Sequence, residues 1–135
     1  MAMIYVARSA KLGKWASDVG LGKNVFKVGV AEEDDLKALV EAGWAGETDW
    51  SMLKKHGAGE LDEDTVIERL ARKNKMIDPT YYPRIKGVRG IFRLTPEQVE
   101  NHIMIARAIA REDELKVVKI KPADFAEFLI HNALR

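Results

Sequence analysis

The chain has 135 residues, 22 Lys and Arg against 21 Asp and Glu for a formal net charge of +1, and no cysteine. That length suits one domain with a core of modest depth, and the lack of cysteine excludes disulfides, thiolate nucleophiles and cysteine-based zinc sites. The three histidines, His56, His102 and His131, are too scattered for a zinc-ligand pattern, and no run approaches the roughly 18 apolar residues of a membrane span. With no signal-like start, the expectation is a soluble, cytoplasmic protein without membrane contact.

In chain order, "MIYVARS" at 3–9 and "VFKVGV" at 25–30 are rich in β-branched and aromatic residues and predict two strands. Between them "KLGKWASDVGLGKN" carries three glycines and reads as a loop or a long hairpin connection. The acidic start of "AEEDDLKALVEAG" complements a helix dipole, Leu36, Leu39 and Val40 supply a buried stripe, and Gly43 stops the turn, which predicts a helix over 32–42. A third strand is expected at "WSMLKK", from Trp50.

In "LDEDTVIERLARKNKM", Asp62 is placed to cap a helix that carries Val66, Ile67 and Leu70 on one face. "GIFRL" reads as a short extended segment. Thr95, Pro96 and Gln98 then make the best local signal in the chain, a capping box opening a helix with Val99, Ile103 and Ala106 at helical spacing. A strand at "KVVKI" and a last helix with Phe125, Phe128 and Leu129 inward complete the pattern. Strands alternating with helices predict an α/β or α+β layer packed on a small sheet.

Charge is unevenly spread. Residues 32–64 hold eleven acidic side chains against three lysines, whereas residues 69–93 hold eight Lys and Arg against Asp78 alone. This basic stretch runs from a helix into "DPTYYPRIKGVRGIFRL", where Tyr81 and Tyr82 sit between Pro79 and Pro83. Cations interleaved with aromatics and glycines suit phosphate contact and base stacking, with Arg72, Lys73, Arg84, Lys86, Arg89 and Arg93 the candidate contacts; the alternative is a solvated charged surface. "GLGKN" fails as a phosphate-binding loop, because Ser17 stands where the first glycine belongs and Asn24 where Ser or Thr belongs.

The order of the pieces resembles the GIY-YIG endonuclease superfamily, in its short phage and prokaryotic branch. The resemblance rests on a first strand with Ile4 and Tyr5, a second with Lys27, Val28 and Gly29, a helix carrying Lys37, a third strand, and "TVIERLARK" with Glu68. "GIFRLTPEQVENHI" is similar to the segment that closes many short members. The resemblance covers residues 3–104, leaving 105–135 as an extension of one domain. It implies a small three-stranded mixed or antiparallel sheet flanked by helices, with an added C-terminal strand and helix.

By that resemblance Tyr5 helps activate the attacking water, Lys37 stands for the arginine that steadies the scissile phosphate, and Glu68 holds one Mg²⁺ or Mn²⁺. Lys27 occupies the second motif tyrosine, a replacement that occurs in the short branch. Met3 replaces the motif's first glycine, Ala31 stands where a small hydroxyl is common, and a lysine at 37 offers a point charge instead of a bidentate fork.

Three functions follow as expectations. One is a metal-dependent endonuclease with Tyr5, Lys27, Lys37 and Glu68 converging in a cleft. The second is a non-catalytic member that binds nucleic acid, most simply DNA. The third is an interaction module or homodimer joined through its opposed acidic and basic surfaces.

Overall fold

A computed structural model describes residues 1–110 and 119–135. The predicted strand at "KVVKI" falls mainly on 116–118, outside the described residues, and Lys119 and Ile120 have no regular structure.

The fold is α+β. Its strands are β1 (Ala2–Arg8), β2 (Val25–Glu32), β3 (Ser51–Gly57), β4 (Lys75–Met76) and β5 (Ile91–Arg93), in the order β3-β1-β2-β5-β4 with every pairing antiparallel. The expected three strands thus become five, because "GIFRL" pairs with β2 and recruits a two-residue β4 onto its other edge. The central pair is buried on both faces, with Tyr5 opposite Gly29 and Val6 opposite Val28.

The connection 11–24 is not a loop. It contains α1 (Ala10–Asp18), capped by the Ser9 hydroxyl, which accepts from Leu12 N–H at 3.1 Å and itself donates to Asp49. Gly13 is a packing glycine, since a β-carbon there would lie 2.8 Å from the Lys23 carbonyl oxygen. The helix expected over 32–42 is a 3₁₀ turn (Glu33–Asp35) followed by α2 (Leu36–Ala42), and Gly43 at φ 75° ends it. Asp62 caps α3 (Glu63–Lys73) by accepting from Thr65 N–H at 2.8 Å. The Thr95 capping box opens α4 (Pro96–Ile109), and α5 (Pro122–Ala133) closes the chain.

Period-two strands send their side chains to two cores. Ile4, Val6, Phe26, Val28 and Phe92 pack under Val66, Ile67 and Leu70 of α3 and Phe125 and Leu129 of α5. On the other face Ala7, Val25 and Ile91 meet Leu12 and Ala16 of α1, Trp50, Ile77 and Ile85. Tyr5 also points to this second face, in a small cluster with Met3 and Leu36. Among the described residues no helix is long and apolar enough to cross a membrane.

Helix α4 buries only Val99 among its fourteen residues, and it meets α5 partly through the rings of His102 and His131, 4.7 Å apart. Burial lowers the pKa of His131, and His102, Arg135 and Lys73 lower it further against an opposing Glu127. The folded pKa is below the unfolded one, so the stability tied to neutral His131 is complete above about pH 6.5 and is lost as the pH falls through the folded value. We expect the melting temperature to drop between pH 7.5 and 5.5 by more in the native protein than in His131→Gln, measured by circular dichroism at both pH values.

Candidate functional site

The sheet is incomplete along β2. Strand β5 pairs with Val25, Phe26 and Lys27, and the Gly90 carbonyl accepts one further bond from Val28 N–H at 2.8 Å. Beyond that point β2 keeps β1 on one edge but has no strand on the other, where Glu63 takes over: its Oε1 accepts from Val30 N–H at 3.1 Å. Glu63 is the first residue of α3, so the Asp62 cap that starts the helix also aims this carboxylate at the strand.

Gly29 makes room for the arrangement. A β-carbon at this position would be driven into both the Tyr5 hydroxyl and Glu63 Oε1, so these two oxygens flank the same point on β2. Lys27, two residues back on the same face, is 4% exposed. Its Nζ donates to the Val28 carbonyl at 2.8 Å and lies 5.5 Å from the Tyr5 ring centre and 5.6 Å from that of Trp44. Tyr5 and Trp44 stack with their ring centres 5.6 Å apart and planes at 17°.

Together these residues line a cleft of about 440 Å³, with Leu39 and Ile67 adding apolar wall and residues 87–89 forming one rim. Arg89 on that rim is exposed and bonds Asp64 at 3.1 Å. The rim is locked to the loop after α2, since Arg84 donates to the Ala45 carbonyl at 2.6 Å and pairs with Glu47.

Electrostatics follow from burial. The Tyr5 hydroxyl is pushed well above its ordinary range, first by burial and then by the negative charge of Glu63, so it stays protonated at neutral pH. Burial brings the Lys27 ammonium down to about 8, with Arg89 acting in the same direction and Glu63 opposing it. The cleft therefore offers a protonated phenol, an easily deprotonated amine, an accessible carboxylate and a guanidinium.

Of the four residues expected to converge, the structure brings together Tyr5 and Lys27. Glu68 lies on the outer face of α3 and pairs with Arg72 at 3.4 Å, both well exposed. It is five residues beyond Glu63, about 140° around a helix of 100° per residue. Lys37 is exposed on α2 and does not line the cleft, although Leu39 does. Glu63 is the functional candidate that sequence reasoning missed; its position just after the capping Asp62 was the available signal.

The basic residues do not form one surface. Lys86 sits beside the Arg84 lock, its Nζ close over Gly46. Lys73 donates to the Asn132 carbonyl at 2.8 Å. Arg93 instead lines a second groove with Lys75, Tyr81 and Tyr82. There Tyr81 is 74% exposed, whereas Tyr82 packs edge-on against Trp15. No family model, curated protein or solved structure matches the chain.

A buried cation whose hydrogen bond goes to a neutral carbonyl is costly. Lowering a lysine from 10.5 to about 8 corresponds to roughly 3 kcal/mol of destabilisation below pH 8. Because the folded pKa is depressed, the unfolded chain binds more protons between pH 8 and 10.5, and stability rises with pH across that window. Lys27→Met should therefore be more stable than the native protein at pH 7, by up to roughly 3 kcal/mol, with the difference shrinking toward pH 10 in urea titrations.

Proposed function

We propose that the chain is a GIY-YIG-like nucleic-acid-binding protein that hydrolyses phosphodiester bonds with a divalent ion. The observation that carries this reading is the meeting of Tyr5, Lys27 and Glu63 around Gly29 in one cleft, with Arg89 on its rim. Two of these residues are those the family resemblance nominates. The carboxylate that stands with them is Glu63, so it replaces Glu68 in the proposal.

The donor set suits a hard, water-keeping cation. Among the described residues Glu63 is the sole acidic one lining the cleft, and no group of three or more His, Asp or Glu forms a metal cluster. Mg²⁺ is commonly held by one or two carboxylates together with water and substrate phosphate oxygens. Mg²⁺ or Mn²⁺ on Glu63 would lower the pKa of a bound water and neutralise charge on the phosphate.

The chain's own residues do the rest. Lys27 and Arg89 attract the phosphodiester and offset the charge that develops on it. The protonated Tyr5 hydroxyl orients a water or donates to a phosphate oxygen. Trp44 and Tyr5 shield one side of the cleft from solvent, which strengthens these interactions.

One observation favours a second reading, in which the cleft binds without cutting. A tyrosine held this firmly protonated is a weak base. The two readings separate in one assay on supercoiled DNA with Mg²⁺ or Mn²⁺. Metal-dependent nicking that falls at least tenfold in Glu63→Gln, and is unchanged in Glu68→Gln, is the expected result. Salt-sensitive binding without nicking would establish the second reading, and loss of activity in Glu68→Gln alone would overturn the assignment of Glu63.

A further inference from the structure

The Lys27 amine is set up for more than charge. It is buried beneath two aromatic rings and hydrogen-bonded to the Val28 carbonyl, and it shares its cleft with the Glu63 carboxylate. An ammonium that lacks a carboxylate at hydrogen-bond distance sheds its proton readily, and a desolvated neutral lysine is the nucleophile that adds to carbonyl groups. With burial bringing its pKa to about 8, an appreciable fraction is neutral at physiological pH. A cleft of about 440 Å³ admits a sugar phosphate.

We propose that Lys27 forms a Schiff base with an aldehyde carried beside a phosphate, and that the ring-opened sugar of an abasic site in DNA is the source. This rests on the reading of the cleft as a nucleic-acid phosphate site and names a substrate class for it. Arg89 engages the flanking phosphate, and the amine faces the carbon that has lost its base.

The chemistry balances without an oxidant or reductant. Nζ adds to the C1′ aldehyde, and the carbinolamine takes a proton from solvent and loses water to give a protonated imine. That cation acidifies C2′, whose proton passes to the Glu63 carboxylate. The electron pair of the C2′–H bond forms a C2′–C3′ double bond as the C3′–O bond breaks, and the 3′ phosphate leaves with the electrons of that bond. Water then hydrolyses the protonated imine, which frees Nζ as an ammonium and releases an unsaturated aldehyde, and both the ammonium and Glu63 return their protons to solvent. None of these steps calls for a divalent ion.

The test uses the full chain in EDTA with sodium cyanoborohydride, offered either a duplex oligonucleotide with one abasic site or erythrose 4-phosphate. Mass spectrometry should map the reduced oligonucleotide adduct to Lys27. Its yield should rise from pH 6.5 to 8.5 and fall at least tenfold in Lys27→Met, a variant whose folding is checked by urea titration. Glu63→Gln should still be trapped but cut the abasic strand at least tenfold more slowly. Adducts spread over surface lysines, or trapping that persists in Lys27→Met, would overturn the proposal. Trapping of erythrose 4-phosphate alone would overturn the nucleic-acid source. Metal-dependent nicking of intact DNA without trapping would sink this inference and leave the nuclease reading standing; trapping without nicking would do the reverse.

Discussion

The cleft depends on one steric constraint, the register that sets Tyr5 opposite a residue without a side chain. In an antiparallel pair, opposed residues have β-carbons only about 5 Å apart, and side chains on one face compete for the same space. Glycine at 29 removes one competitor. The Tyr5 ring lies across β2, its hydroxyl reaches the strand's open edge, and Glu63 approaches from the other side. Because β5 turns away at Gly90, whose φ is 85°, the backbone beyond it would be left with an unpaired N–H. The same carboxylate that satisfies that N–H is the one that faces the cleft. Completing the sheet and building the site are thus one event.

The aromatic wall is held as firmly as the strands. Trp44 is fixed at both its ring and its backbone: Trp50 packs edge-on against it at 5.2 Å, and Trp50 Nε1 donates to the Trp44 carbonyl at 3.0 Å. Arg84 reaches from the rim to the same loop, where Ala45 at φ 57° presents its carbonyl to the guanidinium. One arginine expected on basic character to contact nucleic acid is thereby occupied inside the protein. The consequence is a cation site whose two rings have little freedom to move away from Lys27, which keeps the amine desolvated.

Much of this was legible from the chain. Caps are local chemistry, and Asp62 and the Thr95–Gln98 box act as their sequence predicts. The strands that carry Tyr5 and Lys27 follow from their β-branched and aromatic content, and those two residues do meet. Helix α1 was hidden by its glycines: Gly13 reads as a breaker until the Lys23 carbonyl is seen pressing on it. The fourth and fifth strands are two and three residues long, too short for periodicity to declare, and only pairing with β2 makes them a sheet. Glu63 is a first-turn acid of a kind the helix dipole alone favours, so its place after the cap does not by itself mark it out. What distinguishes it from Glu68 is the angle at which α3 meets β2, which is set by tertiary packing of Val66, Ile67 and Leu70 and is invisible to helical spacing alone.

Three polar or charged residues are buried among the described residues, namely Ser9, Lys27 and Asn74, and their surroundings differ in kind. Ser9 satisfies a helix start and bonds Asp49, while Asn74 accepts from the Asn132 amide. Both are neutral groups with side-chain or capping partners, and their burial needs no further cause. Lys27 is the charged member of the three, and its hydrogen bond goes to a carbonyl on the next residue. A methionine of similar length would fill the same space between Tyr5 and Trp44 without desolvating a charge. Against a typical total stability of about 5–15 kcal/mol, a cost of roughly 3 kcal/mol at a single side chain is large. It falls beside an accessible carboxylate, in a cleft the sheet leaves open, and that coincidence of a costly amine with an open cleft is what the proposed chemistry rests on.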